Sequence, residues 1–313
     1  VSFFEPQTFP QGYFPLLSDV AARLRTMVKR LKLKSLSQGR PPMTKPARSL
    51  SSKATRTLIR NHHTLLRERE RAFAQGDDAK AAAISHQIES QGGIRKYQEA
   101  SLLGQSNDRG GDSSKILMEW LSPIVPVLQE HGRKGQAIRM LEVGALSVKN
   151  ACSRSGLFEI ERIDLNSQAE GIKQQDFMER PLPRDEQEKF GIISLSLVLN
   201  YVPDASGKGE MLLRTLKFLT ARKHPENGLR DFLPSLFLVL PASCVTNSRY
   251  MDEPKLEEIM ESLGYVKVEK KLSNKLVYYL WRLGSQATKK NVIFKKVEIR
   301  SGKDRNNFAI VLK

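Results

Sequence analysis

The sequence predicts an α/β protein: a Rossmann-like doubly wound sheet with an N-terminal helical domain. Three observations predict it. Short apolar runs of strand length alternate with helical patterns from residue 137 onward. The first of these strands ends on a glycine, in Leu141-Glu142-Val143-Gly144, and two strands joined by a short turn close the pattern after Gly264. Parallel strands alternating with helices, followed by an antiparallel end, describe an open sheet covered on both faces.

The elements follow in order. Residues 1–52 contain Pro6, Pro10, Pro15, Pro41, Pro42 and Pro46 among scattered serines and basic side chains. They read as a largely disordered basic segment, with one short helix over 18–33. Leu58, Leu65, Leu66, Phe73, Ile84 and Ile88 then recur at helical spacing around the turn Gln75-Gly76-Asp77-Asp78. An antiparallel pair of helices, 53–75 and 77–90, is the simplest reading. A short helix over 94–103 leads into a polar segment, 104–115, and then an apolar helix over 116–129. Strands are expected at 137–143, 159–165, 190–199 and 235–240, with helices at 208–222 and 254–263 between them. Residues 265–271 and 276–283, joined at Ser273-Asn274, read as a hairpin. Two β-rich runs, 292–299 and 308–312, follow. The organisation predicted is a basic segment (1–52), a helical domain (53–130), a Rossmann-like domain (131–288) and a β-rich C-terminal extension (289–313).

Composition narrows the function. The formal charge of +17 points to a polyanionic partner. Between Ala21 and Gln75 there are fifteen Lys or Arg against two acids, Glu68 and Glu70. Such a stretch is either a solvated tail or nuclear-import signal, or an arm that neutralises phosphates. No apolar run is long enough to cross a bilayer, the N-terminus does not read as a secretory signal, and no membrane partner is expected. The two cysteines, Cys152 and Cys244, lie in no metal-binding or disulfide spacing, and the five histidines have no ligand spacing either. No metal is expected.

In doubly wound sheets, ligands bind beyond the carboxyl ends of the strands, where the strand order reverses. Gly144 ends the first strand and lets backbone approach a ligand. The full dinucleotide motif is absent, which favours a cofactor without a pyrophosphate. Asp164 ends the second strand, about twenty residues further on, where an acid can accept both ribose hydroxyl hydrogens. Asp176-Phe177 then places an acid beside an aromatic, a pair suited to an adenine amino group and ring. The segment Gly104-Gln105-Ser106-Asn107-Asp108-Arg109-Gly110-Gly111-Asp112-Ser113-Ser114-Lys115 precedes a helix and reads either as an anion or cofactor pocket wall or as a plain interdomain turn. Ser206-Gly207-Lys208-Gly209 hints at a phosphate loop, but Val202 stands where its first glycine belongs.

In that order, Glu142-x-Gly144, Asp164 and Asp176-Phe177 resemble the successive motifs of class I S-adenosylmethionine (SAM)-dependent methyltransferases. More narrowly, the chain resembles the fungal nucleolar large-subunit (25S) rRNA adenine-N1 methyltransferases and their metazoan relative, the SAM sensor SAMTOR. Arg60-x-His62-His63-Thr64-Leu65, Tyr97-Gln98-x-Ala100-Ser101, the 104–115 segment, Trp120-Leu121, Ser194-Leu195-x-Leu197-x-x-Asn200-Tyr201-x-Pro203 and Glu261-Ser262-Leu263-Gly264-Tyr265 carry it, over roughly residues 53–283. The resemblance implies SAM as cofactor, held by Glu142, Gly144, Asp164, Asp176 and Phe177. Gln105, Arg109 and Gly110 would close the pocket from the helical side. Arg109 either meets the methionine carboxylate or bonds a backbone carbonyl. The resemblance also implies a monomeric enzyme of the nucleus and nucleolus. It would act on large-subunit rRNA within pre-ribosomal particles, which it grips through its basic N-terminal and helical segments. The alternative it implies is a non-catalytic SAM sensor that binds a nutrient-signalling protein complex.

Leu199-Asn200-Tyr201-Val202-Pro203-Asp204 stands where amino-methylating enzymes carry an Asn/Asp-Pro-Pro-aromatic motif, without the paired prolines. Asn200 and Tyr201 are the expected catalytic residues, Asn200 on the base edge and Tyr201 stacked on it. The other reading is a strand exit packed by Tyr201.

Overall fold

A computed structural model describes residues 52–93, 96, 111–167, 169–221, 228–284 and 292–313. The expected N-terminal disorder, the helices over 18–33 and 94–103, and Gln105, Arg109 and Gly110 fall outside the described residues, apart from Lys96.

Helices α1 (Ser52–Ala74) and α2 (Asp78–Ser90) form the expected pair. Gly76 turns the chain at φ +70°, and Asp77 caps α2 by accepting from Lys80 N at 3.0 Å. Leu65, Ile84 and Ile88 are buried between the helices, with Leu66 against them.

The segment expected as one helix over 116–129 is two. Helix α3 (Ser114–Trp120) gives way to a 3-10 turn (Ser122–Ile124) before α4 (Val125–Arg133). Pro123 and Pro126 explain the break, because neither can donate to the preceding turn, and both are tolerated in the first turn of a new helix. These helices also relocate the boundary drawn at residue 130. Leu117, Leu121, Ile124 and Leu128 bury themselves with Ile138, Met140, Ile192 and Phe237 of the sheet, and Trp120 meets Phe237 edge-on at 6.0 Å. Their packing partner is the sheet. Full burial of leucines such as Leu117 and Leu121 stabilises by about 1.5–3 kcal/mol each.

The sheet has seven strands: β1 (Ile138–Val143), β2 (Phe158–Asp164), β3 (Lys173–Gln174), β4 (Ile192–Ser196), β5 (Ser235–Pro241), β6 (Tyr265–Leu272) and β7 (Leu276–Leu283), in the order β3-β2-β1-β4-β5-β7-β6. β1 to β5 are parallel, while β7 runs antiparallel to both its neighbours. The doubly wound fold class is as the sequence predicts. Alternation along β1 sends Leu141 and Val143 to one core and Ile138 and Met140 to the other. Helices α6 (Ala205–Phe218) and α9 (Glu253–Ser262) cover the first face, through Leu212, Phe218, Leu256 and Ile259. Short helices α5 (Ala151–Arg154), α7 (Leu229–Phe232) and α8 (Ser243–Thr246) complete the connections. The chain steps outward from β1 to β2 and β3, then returns to β4 on the other side of β1. The switch point therefore lies between β1 and β4, and the crevice at which open α/β sheets bind ligands is expected there.

The β-rich C-terminal extension is corrected by the structure. Residues 292–313 contain isolated bridges, Phe294 to Leu312 and Ser248 to Asn306, and no strand. Alternation there serves burial rather than a ladder: Phe294, Phe308, Ile310 and Leu312 fill the first core, while backbone groups bond to loops and to α6.

Candidate cofactor and substrate site

Three successive strand ends meet at the crevice. Gly144 N and Ala145 N donate to Ile163 O at 2.8 and 3.1 Å, setting the loop after β1 beside the end of β2. Gln175 N donates to Asp164 O at 2.9 Å, setting Asp176 one strand further out. The sequence-predicted Gly144, Asp164 and Asp176 thus line one edge in order. Gly144 has φ +74°, and a Cβ on it would stand 2.6 Å from Val198 Cγ2 in the loop after β4. Only glycine meets both demands. Asp164 and Asp176 are partly buried acids in tight turns: Asp164 Oδ1 accepts from Asn166 N at 2.9 Å, and Asp176 Oδ1 accepts from Met178 N at 2.7 Å.

Phe177 does not join this edge. It is 2% exposed, with its ring 5.3 Å from that of Phe218 and the Arg214 guanidinium 5.9 Å over it. The expectation that it packs on an adenine is corrected: the side chain next to Asp176 turns into the core, where an aromatic is worth most.

Glu142 is bracketed rather than exposed. Asn150 Nδ2 donates to its Oε1 at 2.7 Å, Arg162 Nε stands 3.9 Å from Oε2, and burial pushes its carboxyl above the usual range. Asn150 also caps α5 through Ser153 N. It was not foreseen, although an Asn ahead of a short helix is a capping signal.

The described end of the polar segment is clipped onto the same crevice. Asp112 Oδ1 accepts from Ser114 N at 3.0 Å and Ser114 Oγ at 2.6 Å, while its Oδ2 accepts from Ala151 N at 2.5 Å at the start of α5. Ser113 Oγ lies 2.8 Å from Ser196 Oγ, on the last residue of β4.

Beyond Ser196 the backbone is strained. Leu197 has φ +59°, the one non-glycine with positive φ among the described residues, in a conformation that costs about 1–3 kcal/mol. This bend leads directly to Asn200 and Tyr201. Asn200 Oδ1 is buried with no hydrogen-bond partner among the described residues, and Tyr201 is partly buried. Lys208, buried in α6, donates through Nζ to Val202 O at 2.5 Å and Asp204 O at 3.1 Å. It is a clamp on this loop, and neither it nor Leu197 was legible from spacing.

The sequence model described as Bmt2, 25S rRNA (adenine(2142)-N(1))-methyltransferase, matches residues 82–310. The chain belongs to the Bmt2 family. It is 41% identical over 254 residues to the 25S rRNA adenine-N(1) methyltransferase of Schizosaccharomyces pombe, a match covering 81% of this chain and 89% of that protein. It is 39% identical over 230 residues to the 25S rRNA (adenine(2142)-N(1))-methyltransferase of Saccharomyces cerevisiae, covering 73% of this chain and 63% of that one. Among solved structures, the Burkholderia thailandensis 1,6-didemethyltoxoflavin-N1-methyltransferase aligns over 60% of this chain and 87% of its own, with 13% identity and a TM-score of 0.38. Membership spans most of α2, the clipped polar segment, the whole sheet and most of the C-terminal segment.

Proposed function

We propose that this chain methylates N1 of an adenine in large-subunit (25S) rRNA, with SAM as methyl donor. The observation that carries the reading is the family match over residues 82–310, which encloses every described site residue. The relatives reported above bear enzyme names, and nothing in the site favours the sensor alternative.

The residues present fit the cofactor. Gly144 bends the loop after β1 at positive φ, and Asp164 and Asp176 present acids at or just past the next two strand ends. Asp164 would take the ribose hydroxyls and Asp176 the adenine amino group, with Gln105, Arg109 and Gly110 closing the far side. When bound, SAM supplies an electrophilic methyl group. Adenine N1 already carries a lone pair, so the chain need hold no general base. Its task is positioning, which is worth several kcal/mol when reacting atoms are held in line. Asn200 Oδ1 is an acceptor buried without a partner among the described residues; it can take a hydrogen from the adenine amino group and face the positive charge that develops on the ring. Leaving such an acceptor unsatisfied costs about 1–3 kcal/mol in the free protein, a penalty the bound base removes. Tyr201, on the same loop, supplies a stacking face. N1 lies on the Watson–Crick edge, so the target adenine must be unpaired or flipped out.

The local excess of basic residues from Ala21 to Gln75 supports a grip on rRNA through the N-terminal and helical segments. With it goes a place in pre-ribosomal particles in the nucleolus, as a monomer. Incubation with isotopically labelled SAM and unmodified large-subunit rRNA tests the reading. Label should enter the RNA; no transfer under conditions where SAM binds would reject it.

A further inference from the structure

Residues 292–313 form a strap beside the substrate loop. Val311 N donates to Ala205 O at 2.9 Å, at the first residue of α6, and Ser248 Oγ donates to Phe308 O at 2.6 Å. Where the strap crosses α6, a Cβ on Gly209 would stand 1.9 Å from Val311 O, so glycine is what lets it seat. The Lys208 ammonium, which clamps the loop after Asn200 and Tyr201, lies 5.7 Å over the Phe308 ring. The end of the strap, from Phe308 to Val311, and the start of α6 after the substrate loop therefore pack together.

The strap sorts its cations by type. Its arginines are spent on anchoring: Arg300 donates to Val245 O, Thr246 O and Met251 O, and Arg305 to Ser301 O. Among the described residues, its lysines donate to no backbone carbonyl. Lys295, Lys296 and Lys303 are exposed, and among the described residues no carboxylate lies within ion-pair distance of them. Lys296 is held over the Tyr250 ring at 4.4 Å. The lysines of β6 behave otherwise: Lys267, Lys270 and Lys271 pair with Glu257, Glu253 and Glu119. Unpaired lysines with the arginines turned inward are a poor match for a protein partner, because protein interfaces are depleted in Lys and enriched in Arg. They suit phosphates, which a compact ammonium contacts as a point charge.

We propose that the C-terminal strap is an RNA-backbone contact surface, placed by its packing beside the loop that receives the target adenine, and separate from the basic N-terminal segment. This rests on the rRNA-methylating reading. The test is the salt dependence of binding to an unmodified large-subunit rRNA fragment, for the full chain and for a K295Q/K296Q/K303Q variant. Three lost phosphate contacts should reduce the slope of log K against log salt by about 2, roughly 100-fold weaker binding at 0.1 M salt. The KM for RNA should rise, while SAM affinity stays unchanged and Tm falls only slightly, through loss of the Lys296–Tyr250 contact. A K267Q/K270Q/K271Q variant, which removes the same charge from paired lysines, should change the slope far less. Equal slopes for wild type and the strap variant, or equal losses in the two variants, would overturn the proposal. If wild type methylates RNA and the strap variant matches it, the strap assignment alone fails; if wild type methylates none, the underlying reading fails as well.

Discussion

Gly144→Ala perturbs the crevice in two separable ways. The first is conformational: at φ +74° an L-residue pays about 1–2 kcal/mol. The second is steric, since the new Cβ would meet Val198 Cγ2 at 2.6 Å, and overpacking of this kind costs about 1–3 kcal/mol. Together they predict a loss of roughly 2–5 kcal/mol in urea unfolding followed by the fluorescence of Trp120 and Trp281. Val198→Ala removes the γ carbon that the new Cβ meets but leaves the backbone cost in place. A double-mutant cycle should therefore return about 1–3 kcal/mol of favourable coupling, with SAM affinity recovering only in part. A coupling within about 0.5 kcal/mol of zero would refute the view that the loops after β1 and β4 touch through this glycine.

Asp164→Ala should weaken SAM binding at least about 10- to 100-fold in isothermal titration, the worth of one hydrogen bond to a charged group, with the fold retained. Unchanged affinity would move the ribose site elsewhere. Asp112→Ala should destabilise by roughly 2–4 kcal/mol, because it leaves Ser114 N and Ala151 N without their acceptor; a Tm matching wild type would contradict the clip. Glu161 is pushed up by burial, but hydrogen bonds from Arg180 and Lys173 outweigh this and hold its carboxyl at about 2. A depressed carboxylate adds stability above its unfolded pKa, and that share is lost as pH falls from about 4.5 towards 2. The stability gap between wild type and Glu161→Gln should therefore be full at pH 6 and narrow steadily over that range. A constant gap would count against the ion cluster.

Much of the sheet was readable because buried parallel strands are short, apolar and bounded by turn residues. β1, β2, β5 and β7 begin and end within about a residue of expectation. Two features misled for physical reasons. Alternating Val292–Ile299-type patterns look like strands, yet Phe294 and Phe308 are buried by lying across helices and loops, with no strand partner to ladder against. Pro123 and Pro126 divide a segment whose apolar spacing otherwise runs on unbroken. Gly144, Asp164 and Asp176 fall along one edge as expected because each stands at or just past a strand end, a position sequence can count to. Phe177 was misassigned because spacing does not say which way a side chain turns after a strand. Leu197 and Lys208 act through a backbone bend and a buried ammonium, which leave no mark on local sequence pattern, while the capping signal of Asn150 does not tell that its amide also reaches Glu142.

The most direct test of the central claim is nucleoside mass spectrometry of unmodified large-subunit rRNA after reaction with SAM and the chain. The account predicts 1-methyladenosine, formed by wild type and greatly reduced with Asn200→Ala. Methylation at another adenine atom or on another base, or none while SAM is bound, would contradict it.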